Sequence, residues 1–334
     1  MTIRAFAALN PKALLVPHQY EPAPLGPFDV EIAISHCGIC HSDIHLIDDD
    51  WAMSKYPLVP GHEIVGTVWA AGPEVAALTI GERVGVGWQA GSCFACEWCE
   101  RGEEQCCSRQ VATCVERQGG FAESIRLDSR FVYPIPEDLA SPDAAPLLCG
   151  GITVYSPLAA YVRPAFRVGI IGLGGLGHMA VQFARAFGCE VTAFSTSPDK
   201  SADATRLGAH HFVVSTDAAE MERAADSLDF LLSCVSAPLD WPAWLKILRP
   251  RGTLCLVGAS TGTLDVMPVA LVIPQKSIVG SVIGSRAGTR EMLQFAARHG
   301  ITARTEVVPM AQVNAAIDKV RQNRARYRMV LANS

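Results

Sequence analysis

The sequence predicts an α/β protein of two domains, a barrel-like β domain followed by a doubly wound parallel sheet. Three observations carry this. The 334-residue chain exceeds the length at which a single hydrophobic core usually stops growing. Residues 1–145 are rich in Pro, Gly and β-formers, with short apolar runs between turn signals, as in a β domain with long loops. From about residue 150 the texture changes to strands alternating with helices over short connections, the pattern of a parallel sheet.

In the first region the strand-like runs are Val30–Ile34, Ile64–Ala70, Arg83–Val86 and Ser124–Leu127. In the second, Phe166–Ile171 reads as a buried strand, followed by a Gly-rich turn and a helix Gly177–Phe187 with apolar residues at helical spacing. Strands follow at Glu190–Ser195, His211–Val214, Asp229–Cys234 and Thr253–Val257, with a helix at Ser201–Leu207. Beyond about 286 come a helix Thr289–Arg298, a strand-like Glu306–Val308 and a helix Met310–Gln322.

Composition excludes several classes of function. A net charge of -5 argues against a general nucleic-acid binder, which would carry a basic face. The apolar stretches near 147–162 and 168–187 are broken by Gly, Pro, His or Arg, so no membrane span is expected. The N-terminus has no long apolar core or small-residue cleavage site. Twelve cysteines in so long a chain fit metal ligation and buried thiols better than a secreted disulfide framework, and a cytoplasmic location is expected.

Cys93-x2-Cys96-x2-Cys99-x7-Cys107 is spaced for one tetrahedral metal. Four thiolates close the coordination shell of Zn²⁺ and leave no position for chemistry, so the active site lies elsewhere. Mixed ligand types occur in Cys37-Gly-Ile-Cys40-His41-Ser42-Asp43-Ile-His45 and Gly61-His62-Glu63. The first could be a redox pair or half a zinc ribbon. Together with Cys149, however, two Cys and one His would make a three-ligand zinc site with one position open to water or substrate.

Gly172-Leu-Gly174-Gly175-Leu176-Gly177 matches G-x-G-x-x-G between a predicted strand and a helix, the context that gives this pattern meaning. Its glycines allow a tight turn and close approach to a pyrophosphate held at the helix N-terminus. The next strand ends in Ser195-Thr196-Ser197-Pro-Asp-Lys200. A carboxylate at that tip would select NAD, whereas three hydroxyls and a lysine can hold a 2′-phosphate, which predicts NADP(H). Asp199 lies nearby, and the cluster can also cap the helix beginning near Ser201.

In these motifs the chain resembles the zinc-containing medium-chain alcohol dehydrogenases, most closely their cinnamyl alcohol dehydrogenase-like branch. The matching stretches are CGICHSDIH, YPLVPGHEIVG, GERVGVG, the four-cysteine lobe, APLLCGGITVYSPL, GIIGLGGLGHMAVQFA and VIGS. The resemblance implies a GroES-like catalytic domain over 1–150 and 287–334, with a structural zinc lobe at about 90–108, and a Rossmann NADP-binding domain over 151–286. It implies two zinc ions per chain, the catalytic one on Cys40, His62 and Cys149, with Glu63 able to exchange into the fourth position. Matching the lobe's spacing selects Cys107 over Cys106 and leaves Cys106 and Cys114 as spares. Cys37 matches no ligand position and is expected as a buried thiol.

The same resemblance makes Asp43 the carboxylate that orients His62, and Ser42 and His45 the proton relay. It places nucleotide contacts on His41, Thr153, Val235, Val257, Gly258, Ser281, Val282, Ile283 and Arg328, and substrate contacts on Trp51, Trp88 and Ile283. The implied activity is aldehyde reduction or its reverse on a small molecule, in a homodimer. Two other readings compete. A polyol- or secondary-alcohol dehydrogenase using NAD is disfavoured by the serine cluster. A non-catalytic zinc-ribbon nucleotide sensor would need neither the relay nor an open metal position.

The connection Ser108–Gln118 is short and has no Trp, Phe or Tyr, where many members of the branch carry a longer segment with an aromatic near the substrate entrance. Preference for a bulky aryl aldehyde therefore does not follow, and a more open or reshaped pocket is expected.

Overall fold

The long strand Asp29–Ile39 organises the first part of the molecule, with Val30, Ile32 and Ile34 buried and Ala33 exposed between them. It pairs antiparallel with Glu63–Ala71 along most of its length, with Ser124–Asp128 over its first half and with Arg328–Ala332 over its second. Arg83–Val86, Val132–Pro134 and Thr305–Pro309 complete a seven-stranded sheet, antiparallel except where Thr305–Pro309 runs parallel to Arg328–Ala332. Ile32, Ile39, Ile64, Phe121 and Ile125 fill its core. Burying each such side chain stabilises the fold by roughly 1.5–3 kcal/mol. The computed structural model describes residues 2–115, 117–258 and 262–333. Glu116, in the short connection after the cysteine lobe, lies outside them.

The chain divides into two compact units, Met1–Cys149 with Gly284–Ser334, and Gly150–Ile283. The second holds six parallel strands in the order His211–Val214, Glu190–Ser195, Arg167–Ile171, Leu228–Ser233, Leu248–Leu256 and Ser277–Gly280. The order in which the chain adds strands to the sheet reverses beside Arg167–Ile171, which makes its carboxyl end the switch point where ligands bind in such sheets. That strand is buried at four successive positions, as a central strand covered on both faces must be.

Several boundaries differ from the sequence reading for identifiable reasons. The helix expected from Thr289 starts at Arg286, because the Ser285 hydroxyl accepts from the Gly288 amide at 3.0 Å and caps it. The helix expected over 310–322 opens as a 3₁₀ turn, Met310–Gln312, before Val313–Arg321. The strand expected from Thr253 begins at Leu248. Among the described residues, no single helix is long and apolar enough to cross a membrane.

Candidate active site

Three separate parts of the first unit deliver one cluster. Cys40 immediately precedes the helix His41–Asp48, His62 precedes the strand Glu63–Ala71, and Cys149 ends the 3₁₀ turn Ala145–Leu148. One donor atom from each of Cys40, His62, Glu63 and Cys149 lies within 4.8 Å of the others, and His62 Nε2 is 3.3 Å from Cys149 Sγ. Two sulfurs, an imidazole and a carboxylate suit a borderline-soft ion such as Zn²⁺. The Cys40 thiol is held well below its ordinary value, chiefly by its hydrogen bond with Cys149, whose own thiol is pushed well above. Thiolate is thus favoured at Cys40, the form that binds a metal.

Asp43 sits under this cluster and is fully buried. Its Oδ1 accepts from His62 Nδ1 at 2.8 Å and from the Gly61 amide at 2.9 Å, while Oδ2 accepts from the Cys40 amide at 2.9 Å. Both ligand-bearing loops therefore close on one carboxylate, which fixes the His62 tautomer with Nε2 free to coordinate. Glu63 is equally buried. Its Oε1 takes a hydrogen bond from Arg328, whose guanidinium also donates to the Ile39 carbonyl at 3.2 Å. Oε2 has no hydrogen-bond partner among the described residues, and one oxygen of this carboxylate lies within 4.8 Å of the cysteine and histidine donors. Gly38 makes room for it, because a Cβ there would stand 2.0 Å from Oε2. Burial pushes the Glu63 carboxyl up to about 7, with Arg328 opposing.

Ser42 Oγ lies 3.7 Å from Cys40 Sγ. His45, one turn further along the helix, bonds through Nδ1 to Asp50 Oδ2 at 2.7 Å, a partner that sequence reasoning missed. Trp88 stands edge-on to the His62 ring with centroids 5.0 Å apart, Trp51 meets Trp88 at 6.3 Å, and His45 packs on Trp51 at 5.0 Å. The two tryptophans thus wall the cluster, whereas Arg328, read as a nucleotide contact, turns its guanidinium toward Glu63. Cys37 is buried, as expected of a thiol with no ligand role. Cys114, read as a spare, is buried beside Asp43 and His62.

Cys93, Cys96, Cys99 and Cys107 form a second cluster within 4.8 Å. The Cys93–Cys99 and Cys93–Cys107 sulfur separations are 3.8 and 3.5 Å, near the edge of about 3.8 Å that a tetrahedron with 2.3 Å zinc–sulfur bonds requires. A backbone hydrogen bond from Ala95 draws the Cys93 thiol down to about 6, toward the thiolate that coordinates. Cys106 is exposed and outside the cluster.

In the second unit the Gly-rich turn stands at the carboxyl end of Arg167–Ile171. Gly172 has φ 90° and abuts Val235, and a Cβ at Gly177 would lie 1.8 Å from the Gly172 carbonyl oxygen. A Cβ at Gly174 would meet nothing within 4 Å, which leaves the backbone open to a pyrophosphate. Ser195 is buried at its strand tip and accepts from the Ser197 amide at 3.1 Å. Lys200 reaches back to the Leu173 carbonyl at 2.8 Å, which sets its ammonium beside the Gly-rich turn. Val257 and Ser281 continue the strands Leu248–Leu256 and Ser277–Gly280 at this same carboxyl edge, bonded to Ser233 and Leu256. Gly258, with no side chain, packs against the Val235 carbonyl. Thr153 is buried on the helix Gly150–Tyr161, His41 opens its own helix in the first unit, and Ile283 ends the second unit with φ 33°.

Known proteins agree with this layout. Residues 26–137 match the alcohol dehydrogenase GroES-like domain and residues 175–298 the zinc-binding dehydrogenase model. The aldehyde reductase AdhA of Synechocystis sp. is 41% identical over 333 residues, covering 99% of each chain. The chain belongs to the zinc-containing medium-chain alcohol dehydrogenases, in their cinnamyl alcohol dehydrogenase-like branch. A probable cinnamyl alcohol dehydrogenase of Nicotiana tabacum is 42% identical, covering 99% of this chain and 95% of its own. Among solved structures, the Sorghum bicolor cinnamyl alcohol dehydrogenase SbCAD4 superposes with TM-score 0.96 at 42% identity, over 99% of this chain and 98% of that one. The CAD of Helicobacter pylori, complexed with NADP(H), superposes with TM-score 0.92 at 32% identity, over 99% of this chain and 98% of that one. The fold of this dehydrogenase is thus a GroES-like domain joined to a Rossmann domain.

Proposed function

We propose that this protein is a zinc-dependent alcohol dehydrogenase that interconverts a primary alcohol and its aldehyde with NADP(H), working as an aldehyde reductase. The observation that carries the reading is the set Cys40, His62 and Cys149, whose donor atoms lie within 4.8 Å of one another and of a carboxylate oxygen of buried Glu63. Three firm ligands and one exchangeable position distinguish a catalytic site from a structural one. When bound, zinc supplies a Lewis acid for the carbonyl oxygen and NADPH supplies hydride for the carbonyl carbon.

The protein's own groups do the rest. Asp43 holds His62, and Arg328 holds the carboxylate of Glu63 so that one oxygen faces the cluster. Ser42 hands a proton to the reduced oxygen, and His45 replenishes it from solvent, with Asp50 fixing the imidazole through Nδ1. Aldehyde, NADPH and one proton give alcohol and NADP⁺; oxidation is the reverse. Ser195, Thr196, Ser197 and Lys200 take the 2′-phosphate of the cofactor. Trp51 and Trp88 give the substrate an apolar wall, and the connection 108–118 brings no aromatic to narrow it.

Two further properties belong to this reading. The edge strand Ser277–Gly280 and the exposed side chains Met267, Val272, Ile273 and Val282 fit a second copy of the chain, paired edge to edge in a homodimer. Thiols presented for metal rather than paired as disulfides suit the reducing cytoplasm.

The test is oxidation of NADPH with a panel of aldehydes, before and after zinc removal. Turnover that disappears with the metal is expected, and no turnover with any aldehyde in the zinc-loaded protein overturns the reading. In the same assay Ser195→Asp is expected to cut kcat/KM for NADPH about a hundredfold while sparing NADH, because a carboxylate then faces the 2′-phosphate. A wild type that prefers NADH contradicts the cofactor assignment.

A further inference from the structure

The connection that follows the cysteine lobe is fastened at both ends around the metal site. Val111–Ala112 pairs with Gln89–Gly91. Thr113 then donates its amide to the Trp88 carbonyl at 2.7 Å and its hydroxyl to the Gly87 carbonyl at 2.8 Å. Further on, the amides of Gly119, Gly120 and Phe121 donate to the carbonyls of Val59, Gly61 and Pro60 at 2.8, 2.7 and 2.8 Å. The first set of bonds leads to Trp88, which touches His62, and the second to the run that ends in His62 itself.

Cys114 lies between these fastenings, fully buried, with φ 63°. An L-residue keeps that left-handed backbone only where its surroundings hold it there. Gly119 is one of those surroundings, since a Cβ on it would come 2.7 Å from Cys114 Cβ and 2.5 Å from the Pro60 oxygen. The Cys114 sulfur falls within 4.8 Å of donor atoms of both Asp43 and His62. A cysteine side chain there is compact and polarizable.

We propose that Cys114 is a positioning residue for His62, its buried thiol backing the His62–Asp43 pair so that the imidazole keeps Nε2 aimed at Cys40, Cys149 and Glu63. One hydrogen bond at Nδ1 sets the tautomer but leaves the ring free to rock about it. Trp88 supplies one wall against that motion and Cys114 supplies another, through a soft sulfur that fills the space beside the Asp43–His62 bond. The short connection thus holds the ligand shell where an aromatic lid would otherwise be carried. This inference rests on the zinc-site reading given above.

The test uses the full-length protein with two measurements, zinc retention against a graded chelator and the visible spectrum after cobalt substitution. Cys114→Gly removes the thiol and suits the left-handed backbone. It is expected to surrender the zinc of the mixed site about 10–100-fold more readily than wild type, with a shifted cobalt spectrum, while the four-cysteine zinc stays. Cys114→Ser, which restores a group of similar shape, is expected to recover most of the retention. Should the glycine variant misfold, Cys114→Ala is judged by the same two measurements. A glycine or alanine variant with wild-type zinc retention and an unshifted cobalt spectrum overturns the proposal. A wild type that holds only the four-cysteine zinc overturns the zinc-site reading itself, and this proposal with it.

Discussion

The two metal clusters of the first unit are built in opposite ways. The four-cysteine cluster comes from one stretch, Cys93 to Cys107, with three of its sulfurs half-exposed. Its ligands share one loop, which packs against residues distant in the chain. Phe94, inside the cluster's own loop, lies under the Arg130 guanidinium at 3.8 Å and near that of Arg286 at 5.1 Å, and buried Glu104 pairs with Arg286 at 2.7 Å. The mixed cluster gathers Cys40, His62 with Glu63, and Cys149 from three distant segments over Asp43 and beside Arg328, with all but Cys40 buried. A site with four like ligands needs only a loop of the right length to close it. A site that must hold three ligands and leave a fourth position open needs a packed surround to keep each ligand aimed.

Removing one ligand from each cluster is the strongest way to break this comparison. His62→Ala is expected to abolish turnover to the detection limit while the protein stays folded and keeps one zinc per chain, measured by metal analysis and circular dichroism. Cys93→Ser should do the reverse. Loss of the lobe's zinc costs stability, and a loss of about 3 kcal/mol lowers the thermal midpoint by roughly 10 °C in a unit of this size. Scanning calorimetry would show it, and a Cys93→Ser protein as stable as wild type would mean the lobe is not held by metal.

A smaller effect should come from Asp43→Asn. Asp43 accepts from three N–H groups, and an amide has only one oxygen to offer them. Zinc affinity of the mixed site and kcat are expected to fall about 10–100-fold, with the lobe untouched. Equal loss of zinc from both clusters would contradict the separation drawn here. The smallest effect belongs to Cys106→Ser. That thiol is exposed and outside the cluster, so stability should change by less than about 0.5 kcal/mol and metal content not at all.

The difference in construction also explains what could be read from the sequence. The spacing of Cys93, Cys96, Cys99 and Cys107 announces a site because its ligands are neighbours along the chain. Gly172 to Gly177 announces a turn because the backbone at Gly172 and Gly177 has no room for a side chain. Cys40, His62 and Cys149 carry no such local pattern, and it took resemblance to a family to join them. The contacts that hold them were less legible still. Arg328 meets Glu63 across 265 positions, and nothing in either neighbourhood names the other. Cys114 looks like a leftover thiol until a left-handed turn and the absent side chain of Gly119 place it against His62. Asp50 is one acid among three in Asp48-Asp49-Asp50, and only the helix geometry shows which of them His45 meets.

The central claim is that chemistry resides in the mixed cluster and the four-cysteine cluster only stabilises. Turnover per chain and zinc per chain in Cys93→Ser, assayed at a temperature where it remains folded, test this most directly. One zinc per chain with aldehyde reduction close to the wild-type rate is the predicted result. A folded Cys93→Ser protein that retains its one zinc and reduces no aldehyde would contradict the claim.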